Sequence, residues 1–204
     1  MPTPLVIDLS HHNANPDFAK IRAAGVVGVI HKATQGTSYV DTTYAQRKPL
    51  ALQAGLLWGA YHFGTGGAVI AQVTNFIDVT QPDGSFLLAL DFEQNAGDSM
   101  SLDQAKQFLS EVERQAGQRP VLYTGGYFNQ CTGNRADPTM AGYRVWWAQY
   151  AAAPKVNPTW PSYWLWQYSD GTVGPGQKVV NGAAPCDCSA HDGGEAGLRA
   201  SWLA

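Results

Sequence analysis

The sequence predicts an α/β fold in which parallel strands are flanked by helices and close into a barrel. Short apolar stretches alternate with helical stretches at least four times, which is typical of such folds. Residues Leu87 to Leu90 are apolar without a break, as in a strand buried on both faces. Acidic and aromatic residues also lie where the predicted strands end, at Asp8, Tyr61, Asp91, Glu93 and Tyr123. In barrels of this kind, the face at the carboxyl ends of the strands carries the active site.

The predicted strands fall into two groups along the chain. The first group alternates with helices, at residues 4–8, 26–30, 56–63, 86–93 and 120–124. From Tyr143 onward the helical periodicity disappears, and turns rich in Gly and Pro separate three further short strands, at residues 144–150, 163–168 and 177–180. We therefore expect that helices connect the first strands of the barrel and that turns connect the last strands.

Local signals set the predicted helix boundaries. Asn15 and Pro16 predict an N-cap and a first-turn proline for the first helix. The second helix, predicted over residues 44–54, contains Pro49, which requires a kink or a later start. The clearest helix begins at a capping box formed by Ser101 and Gln104.

Length and charge narrow the functional classes. The 204 residues fit one domain over 1–204, with no sign of a separate binding module. The net charge of −3 does not favour nucleic acid or an anionic membrane surface as a partner. No stretch reaches the roughly 18 apolar residues of a membrane span, and residues 1–5 lack the features of a signal peptide. We therefore expect a soluble chain, exported by another route if at all.

The three cysteines, Cys131, Cys186 and Cys188, cannot all pair within the chain. One bridge from Cys131 to either of the other two remains possible, and so does none.

The strongest chemical signal is the pair Asp91 and Glu93. Side chains alternate along a strand, so residues at i and i+2 emerge on the same face, about 6 to 7 Å apart at the backbone. Two close carboxyl groups suit acid/base cleavage of a glycosidic bond, in the retaining rather than the inverting arrangement. The alternative is that the strand ends in water and that the carboxyl groups of Asp91 and Glu93 are simply ionised there without a function.

Five motifs in shared order resemble glycoside hydrolase family 25, the Chalaropsis-type lysozymes, from Val6 to about Ser189. They are Asp8-Leu9-Ser10, His31-Lys32-Ala33-Thr34-Gln35-Gly36, Gly59-Ala60-Tyr61-His62-Phe63, Asp91-Phe92-Glu93 and Trp164-Leu165-Trp166-Gln167-Tyr168. The resemblance implies a single TIM-like (β/α)5(β)3 barrel. It also implies cleavage of peptidoglycan between N-acetylmuramic acid and N-acetylglucosamine.

The resemblance also assigns roles within the site. Glu93 would be the general acid/base, and Asp91 would stabilise the positive intermediate or orient the substrate's N-acetyl group. Asp8 would support the pair by hydrogen bonds. Two positions depart from the family pattern: Gln35 stands where the family usually has Glu, and Asp187 keeps the family's last Asp without its usual flanking residues.

Aromatic and amide side chains near the strand ends are expected to bind the glycan, because aromatic faces stack on sugar rings. These residues are Tyr61, Tyr123, Tyr150, Trp166 and Gln167. Trp146 and Trp147 are adjacent on a predicted strand, so at most one of them lines the cleft. Trp164, Trp166 and Tyr168 are expected to share a face.

Other classes of function predict different features. A metal-dependent deacetylase would use histidines together with Asp8 and Asp91. The candidate histidines are His11, His12, His31 and His62. The sequence has no His-x-x-x-His or Cys-x-x-Cys spacing of the kind that forms a zinc site. A lectin-like barrel would not need a close acid pair, and a chitinase of the other Asp-x-Glu family would carry acids at Leu87 and Ala89. We therefore expect no metal or organic cofactor, and a monomer that acts on peptidoglycan glycan strands in the cell wall.

Overall fold

The computed structural model describes residues 1–183 and 185–204 and forms a closed barrel with helices outside it. The strands are β1 (Val6–Leu9), β2 (Gly28–Gln35), β3 (Tyr39–Val40), β4 (Leu57–Phe63), β5 (Leu87–Asp91), β6 (Val121–Thr124), β7 (Val145–Ala148), β8 (Leu165–Ser169) and β9 (Asp187–Ala190). The helices are α1 (Phe18–Ala23), α2 (Tyr44–Gln53), α3 (Val69–Thr80), α4 (Leu102–Ala116), α5 (Gly126–Thr132) and α6 (Gly194–Ser201). A 3-10 turn, Met140–Gly142, precedes β7.

The barrel runs β1-β2-β4-β5-β6-β7-β8-β9, and β9 pairs with β1 to close it. Neighbouring strands from β1 to β8 are parallel, whereas β9 is antiparallel to both of its neighbours. The short β3 forms a hairpin with the end of β2. Each of the first five barrel strands is followed by an α-helix, whereas β7 and β8 are each followed by the next strand and only the terminal α6 comes after β9, which confirms the predicted (β/α)5(β)3 barrel.

Alternating burial along β5 explains why its sequence is uniformly apolar. Leu87 and Ala89 pack inside the barrel, while Leu88 and Leu90 pack between the barrel and the outer helices. All four are 0% exposed. The prediction of a strand buried on both faces is confirmed.

Two helix boundaries differ from the prediction. Helix α1 is capped by Asp17, whose carboxylate accepts the Lys20 N–H at 3.0 Å, so Asn15 is not the cap. Asn15 instead has φ +42°, a left-handed turn conformation that asparagine tolerates. Pro49 lies inside α2, which starts at Tyr44 and therefore not late.

The prediction of a strand at residues 177–180 is wrong, because the eighth barrel strand is β9. Residue 177 is fixed by bonds outside the sheet: the Tyr168 hydroxyl donates to the Gln177 carbonyl at 2.6 Å. Strand β9 escaped detection because it buries Cys188 and Ser189 rather than aliphatic side chains. Inside the barrel, the Ser189 hydroxyl accepts the Trp146 indole N–H at 2.9 Å.

A tryptophan after α6 closes the end of the barrel at which the parallel strands begin. The buried Trp202 donates its indole N–H to the Trp58 carbonyl at 3.0 Å. A Cβ atom on Gly28 would lie 2.8 Å from the Trp202 ring, so this approach requires glycine. Side chains therefore fill this end of the barrel. No helix in the described residues has the length and apolar character to span a membrane.

Candidate active site

A cleft of about 280 Å³ opens at the carboxyl ends of the parallel strands. The residues that line it come from almost every barrel strand or from the loop that follows it: Asp8, Ser10, His12, Lys32, Tyr61, Phe63, Asp91, Glu93, Tyr123, Trp146, Tyr150, Asp170 and Asp187. A neighbouring hollow shares Glu93, Tyr123 and Tyr150 with it. Residues far apart in the sequence thus meet at the face predicted from the strand ends.

Backbone hydrogen bonds fix the end of β5, where the two acids stand. The Gly64 N–H donates to the Asp91 carbonyl at 3.0 Å, and the Phe92 N–H donates to the Tyr123 carbonyl at 2.9 Å. The Thr124 hydroxyl donates to the Phe92 carbonyl at 2.8 Å. Phe92 points away from the cleft and is fully buried, so Asp91 and Glu93 both face into it, as predicted.

Asp91 lies at the floor of the cleft with only 8% of its surface exposed. Its Oδ1 atom is buried and has no hydrogen-bond partner among the described residues. Burial and the neighbouring Glu93 raise the pKa of Asp91 well above its usual value, and Lys32 partly opposes the shift. A buried carboxylate oxygen without a donor is ready to accept a hydrogen bond from a bound molecule.

Glu93 is less deeply buried than Asp91 and stands where the two hollows meet. Its pKa is raised, first by burial and then by the negative charge of Asp187, while Lys32 acts in the opposite direction. A raised pKa favours the protonated form of Glu93, which is the form that can donate a proton to a bound molecule.

Asp8 and Asp187 form a second carboxyl pair across the antiparallel strands β1 and β9, where they are register partners. Both side chains line the cleft, so their carboxyl groups act on each other electrostatically. Burial, followed by the charge of Asp187, raises the pKa of Asp8 well above its usual value. Burial likewise raises the pKa of Asp187. The cleft therefore holds a group of carboxyls whose charges repel one another, so that they cannot all ionise easily.

One buried amide connects this group to the aromatic wall. Gln167 donates its Nε2–H to Asp8 Oδ2 at 2.9 Å, and its Oε1 accepts the hydroxyls of Tyr123 and Tyr150, each at 2.9 Å. The Gln167 residue is 1% exposed and does not line the cleft, unlike its partners. The structure therefore corrects the expected direct contact with glycan: Gln167 positions the groups that line the cleft.

The structure does not place Trp166 at the cleft. This residue lies on the outer face of β8, where its indole N–H donates to the Gln149 carbonyl at 2.8 Å. Tyr168 shares that outer layer, whereas Trp164 packs with Trp202 at the closed end of the barrel, so the three do not form one surface. The tryptophan that does line the cleft is Trp146, packed edge-on against Tyr123 with ring centroids 4.6 Å apart.

Lys32 and Asp170 line the cleft but were not selected from the sequence. The Lys32 ammonium donates to Gln35 Oε1 at 2.6 Å. The lysine is therefore bound by a neutral amide at the position where the family usually has Glu. Asp170 directly follows β8, and its carboxylate accepts the N–H groups of Thr172 and Val173 at 2.8 and 2.6 Å. These bonds lower the pKa of Asp170. Both residues follow the end of a predicted strand, at 26–30 and 163–168, and this position is the sequence feature that could have identified them as cleft residues.

The buried histidines are engaged within the fold. His31 contacts the Lys32 carbonyl at 2.7 Å, and His62 contacts the Thr34 hydroxyl at 2.7 Å. Burial lowers the pKa of each to about 4, so both are neutral at physiological pH. His11 pairs with the buried Asp41 at 2.9 Å. Among the described residues, no three His, Cys, Asp or Glu side chains are grouped to hold a metal ion.

All three cysteines are free thiols. Cys131 is exposed on α5, while Cys186 and Cys188 are buried on either side of Asp187.

Comparison with known proteins gives a consistent family. The model of the family described as "Glycosyl hydrolases family 25" matches residues 7–177. The chain is 30% identical to the N,O-diacetylmuramidase of Chalaropsis sp. over 199 residues, which cover 86% of this chain and 93% of that protein. It is 29% identical to lysozyme M1 of Streptomyces globisporus over 186 residues, covering 82% of this chain but only 63% of that longer protein.

The fold comparison agrees with the sequence comparison. The crystal structure of a bacterial lysozyme from Streptomyces coelicolor superposes with a TM-score of 0.84 at 28% sequence identity. The superposition covers 97% of this chain and 95% of that chain, so the likeness extends over the whole barrel.

Proposed function

The chain belongs to glycosyl hydrolase family 25, and from that membership we propose that it is a lysozyme of the N-acetylmuramidase type. It hydrolyses the β-1,4 bond between N-acetylmuramic acid and N-acetylglucosamine in peptidoglycan, with retention of configuration. The observation that carries the proposal is the placement of Asp91 and Glu93 together in one cleft, where burial raises the pKa values of both.

Glu93 is the general acid in this proposal. It stands at the junction of the two hollows, so a glycan that occupies both places a bridging oxygen beside it. In its protonated form Glu93 donates a proton to the leaving oxygen, and the resulting carboxylate then removes a proton from the attacking water. The raised pKa keeps the acid form populated toward neutral pH.

Asp91 assists the substrate rather than the leaving group. Its unpartnered Oδ1 accepts the N–H of the sugar's N-acetyl group, which turns the acetyl oxygen toward the anomeric carbon. The acetyl oxygen forms a bond to that carbon as the glycosidic bond breaks, and water later opens the cyclic intermediate from the opposite face. Two inversions give net retention. In its ionised form, Asp91 also stabilises the positive intermediate by its negative charge.

The remaining cleft residues hold this arrangement and bind the glycan. Asp8 and Asp187 lie opposite each other on β1 and β9 and line the cleft together with the reacting carboxyls. Tyr61, Tyr123 and Tyr150 line the wall against which the sugar rings pack. Each step uses protein carboxyl groups and water, so the proposal requires no cofactor.

We also propose that residues 1–204 form one catalytic domain, active as a monomer on glycan strands of the cell wall. Relatives named N,O-diacetylmuramidase and lysozyme support this substrate.

Product analysis tests the proposal. Purified peptidoglycan is digested, the products are reduced with borohydride, and the new reducing sugar is identified by mass spectrometry. Reduced N-acetylmuramic acid is the expected result. Reduced N-acetylglucosamine would identify a glucosaminidase instead, and glycan without new reducing ends would favour a deacetylase or a binding protein.

Substitution of the general acid provides the second test. Glu93→Gln keeps the shape of the side chain but cannot donate a proton, so it should lower kcat by about 10²- to 10⁴-fold without unfolding the protein. Activity within about tenfold of the parent would exclude Glu93 from this role. Circular dichroism and the melting temperature serve as the control for folding.

A further inference from the structure

Lys32 is a cation without an ion pair in a cleft lined by acids. Five carboxyl side chains line the cleft, and Lys32 is the only lysine or arginine among its described lining residues. No carboxylate oxygen of the described chain lies within 4.0 Å of its ammonium group. Asp91, Glu93 and the buried Asp41 act on it only at longer range.

The groups that do contact the ammonium are neutral. Gln35 accepts one hydrogen bond at 2.6 Å, and the Phe63 and Tyr39 rings lie 4.9 and 5.5 Å from Nζ. These contacts hold the ammonium in one place without compensating its charge. Because an ammonium has three N–H donors, further donors remain for a bound molecule.

The position of Lys32 is fixed by the sheet. In the pairing of β2 with β4, Lys32 faces Tyr61, and the register then shifts by one residue before Thr34. This bulge leaves Ala33 in the outer core, while Lys32 points into the cleft. Lys32 therefore stands on a rigid strand between Asp8 on β1 and the acids at the end of β5.

An anionic group of a substrate would be repelled by most of this cleft. Asp170 is held ionised at the rim, and the Asp8–Asp187 pair occupies the strands between it and β2. Among the described residues at the cleft, only the wall formed by Lys32, Phe63 and Tyr39 combines a lysine or arginine with uncharged neighbours. A carboxylate carried by the glycan therefore has one favourable place to bind.

Building on the proposed function, we propose that Lys32 binds a carboxylate of the peptidoglycan substrate and thereby selects muramyl glycan over uncharged glycan. Peptidoglycan offers two sources of this group: the free lactyl carboxylate of a muramyl residue without its peptide, and a carboxylate of the stem peptide. Both would form a charge-assisted hydrogen bond with the ammonium in a site sheltered from water.

Matched substrates separate this role from a general electrostatic effect on Asp91. One tetrasaccharide of alternating N-acetylglucosamine and N-acetylmuramic acid carries free lactyl carboxylates, a second has them converted to methylamides, and a third bears stem peptides. The parent enzyme should cleave a carboxylate-bearing form with a kcat/KM about tenfold higher than the methylamide, equivalent to about 1.4 kcal/mol. The preferred form identifies the source of the carboxylate.

Two variants and one control complete the experiment. Lys32→Met should reduce the preference to within about twofold, and Gln35→Glu should also reduce it, because the new carboxylate pairs with the ammonium. Lys48→Met is the matched control: its ammonium also lies over a phenylalanine ring, 3.6 Å from the Phe86 centroid, but outside the cleft, so the preference should remain. Melting temperatures show whether each variant folds.

The outcomes are distinct. A preference that persists in folded Lys32→Met, or in Gln35→Glu if the first variant does not fold, would overturn the assignment. Equal slowing on charged and uncharged glycan would assign Lys32 an electrostatic role only and would also overturn it. A parent enzyme that cleaves none of the three substrates would reject the proposed function itself.

Discussion

Replacing Asp187 by Asn should stabilise the protein at neutral pH and change its pH–activity profile. Asp187 is one of the charges that raise the pKa values of Asp8, Asp91 and Glu93. An amide at this position removes that repulsion and keeps the size and shape of the side chain. The arrangement in the parent protein therefore favours the reaction at the expense of stability.

The sign and the pH window follow from linkage. A carboxyl whose pKa is raised on folding binds more protons in the folded than in the unfolded state. Stability therefore falls as the pH rises above the unfolded value of about 4, until the raised folded value has been passed. Removal of one unfavourable buried charge typically changes stability by a few kcal/mol, so Asp187→Asn should stabilise the protein by roughly 1 to 3 kcal/mol at pH 7.

Differential scanning calorimetry measures this effect directly. For a protein of this length, 1 kcal/mol shifts Tm by about 2 to 4 °C, so Asp187→Asn should melt roughly 2 to 12 °C above the parent at pH 7. At pH 3 the carboxyls are protonated in both states, and the difference should nearly vanish. An equal or lower Tm at pH 7, or the same gain at pH 3, would refute the reasoning.

The same variant gives a kinetic readout. Because Asp187 helps to raise the pKa of Glu93, its neutralisation should let Glu93 lose its proton at lower pH. The basic limb of the kcat/KM profile should then move to lower pH, beside any overall loss of rate. A basic limb at the parental position would show that Asp187 does not act on the general acid.

The remaining predictions concern four other positions. Asp91→Asn should lower kcat by at least about 10²-fold with the fold retained, and an unchanged rate would remove Asp91 from the mechanism. Gln167→Leu should destabilise the protein by about 1 to 3 kcal/mol, because Asp8 and two tyrosine hydroxyls lose their partner, and an unaltered urea midpoint would contradict this. Trp202→Ala should cost about 3 to 5 kcal/mol, or roughly 6 to 20 °C in Tm, whereas a loss below 1 kcal/mol would mean that the barrel end closes without it. The pKa of His62 is lowered to about 4, so the free energy of unfolding should fall as the pH drops from 6.5 to 4. In urea titrations, His62→Gln should show a weaker dependence of stability on pH over this range. A dependence as steep as that of the parent would show that His62 is not its source.

Features with local signals were predicted well from the sequence. The capping box of α4 is present, with Ser101 accepting the Gln104 N–H at 3.2 Å, and Gly117 ends the helix with φ +64°. The orientation of Asp91 and Glu93 followed from strand alternation alone. In each case the determining residues are within three positions of one another, so the pattern contains the answer.

Features that depend on the closed barrel were predicted less well. Alternation shows that Trp166 and Gln167 face opposite ways, but only the curvature of the barrel determines that Gln167 is inside. The bulge after Lys32 interrupts the alternation of β2 and cannot be read from residue types. Strand β9 has few aliphatic residues because its interior contacts are polar, so Asp187 was expected at the site only through the family resemblance.

The antiparallel direction of β9 gives the barrel one connection unlike the others. Strands β1 to β7 are each followed by chain that returns to the closed end, whereas β8 ends and β9 begins at the cleft, so the segment between Ser169 and Asp187 joins them at that rim. Among the described residues of this segment only Asp170 lines the cleft, and the middle of the segment leaves the rim, where the Gln177 N–H donates to the Pro2 carbonyl. A change in the length of this segment therefore has to keep Asp170 and Asp187 at its two ends, because these are the points at which it meets the cleft.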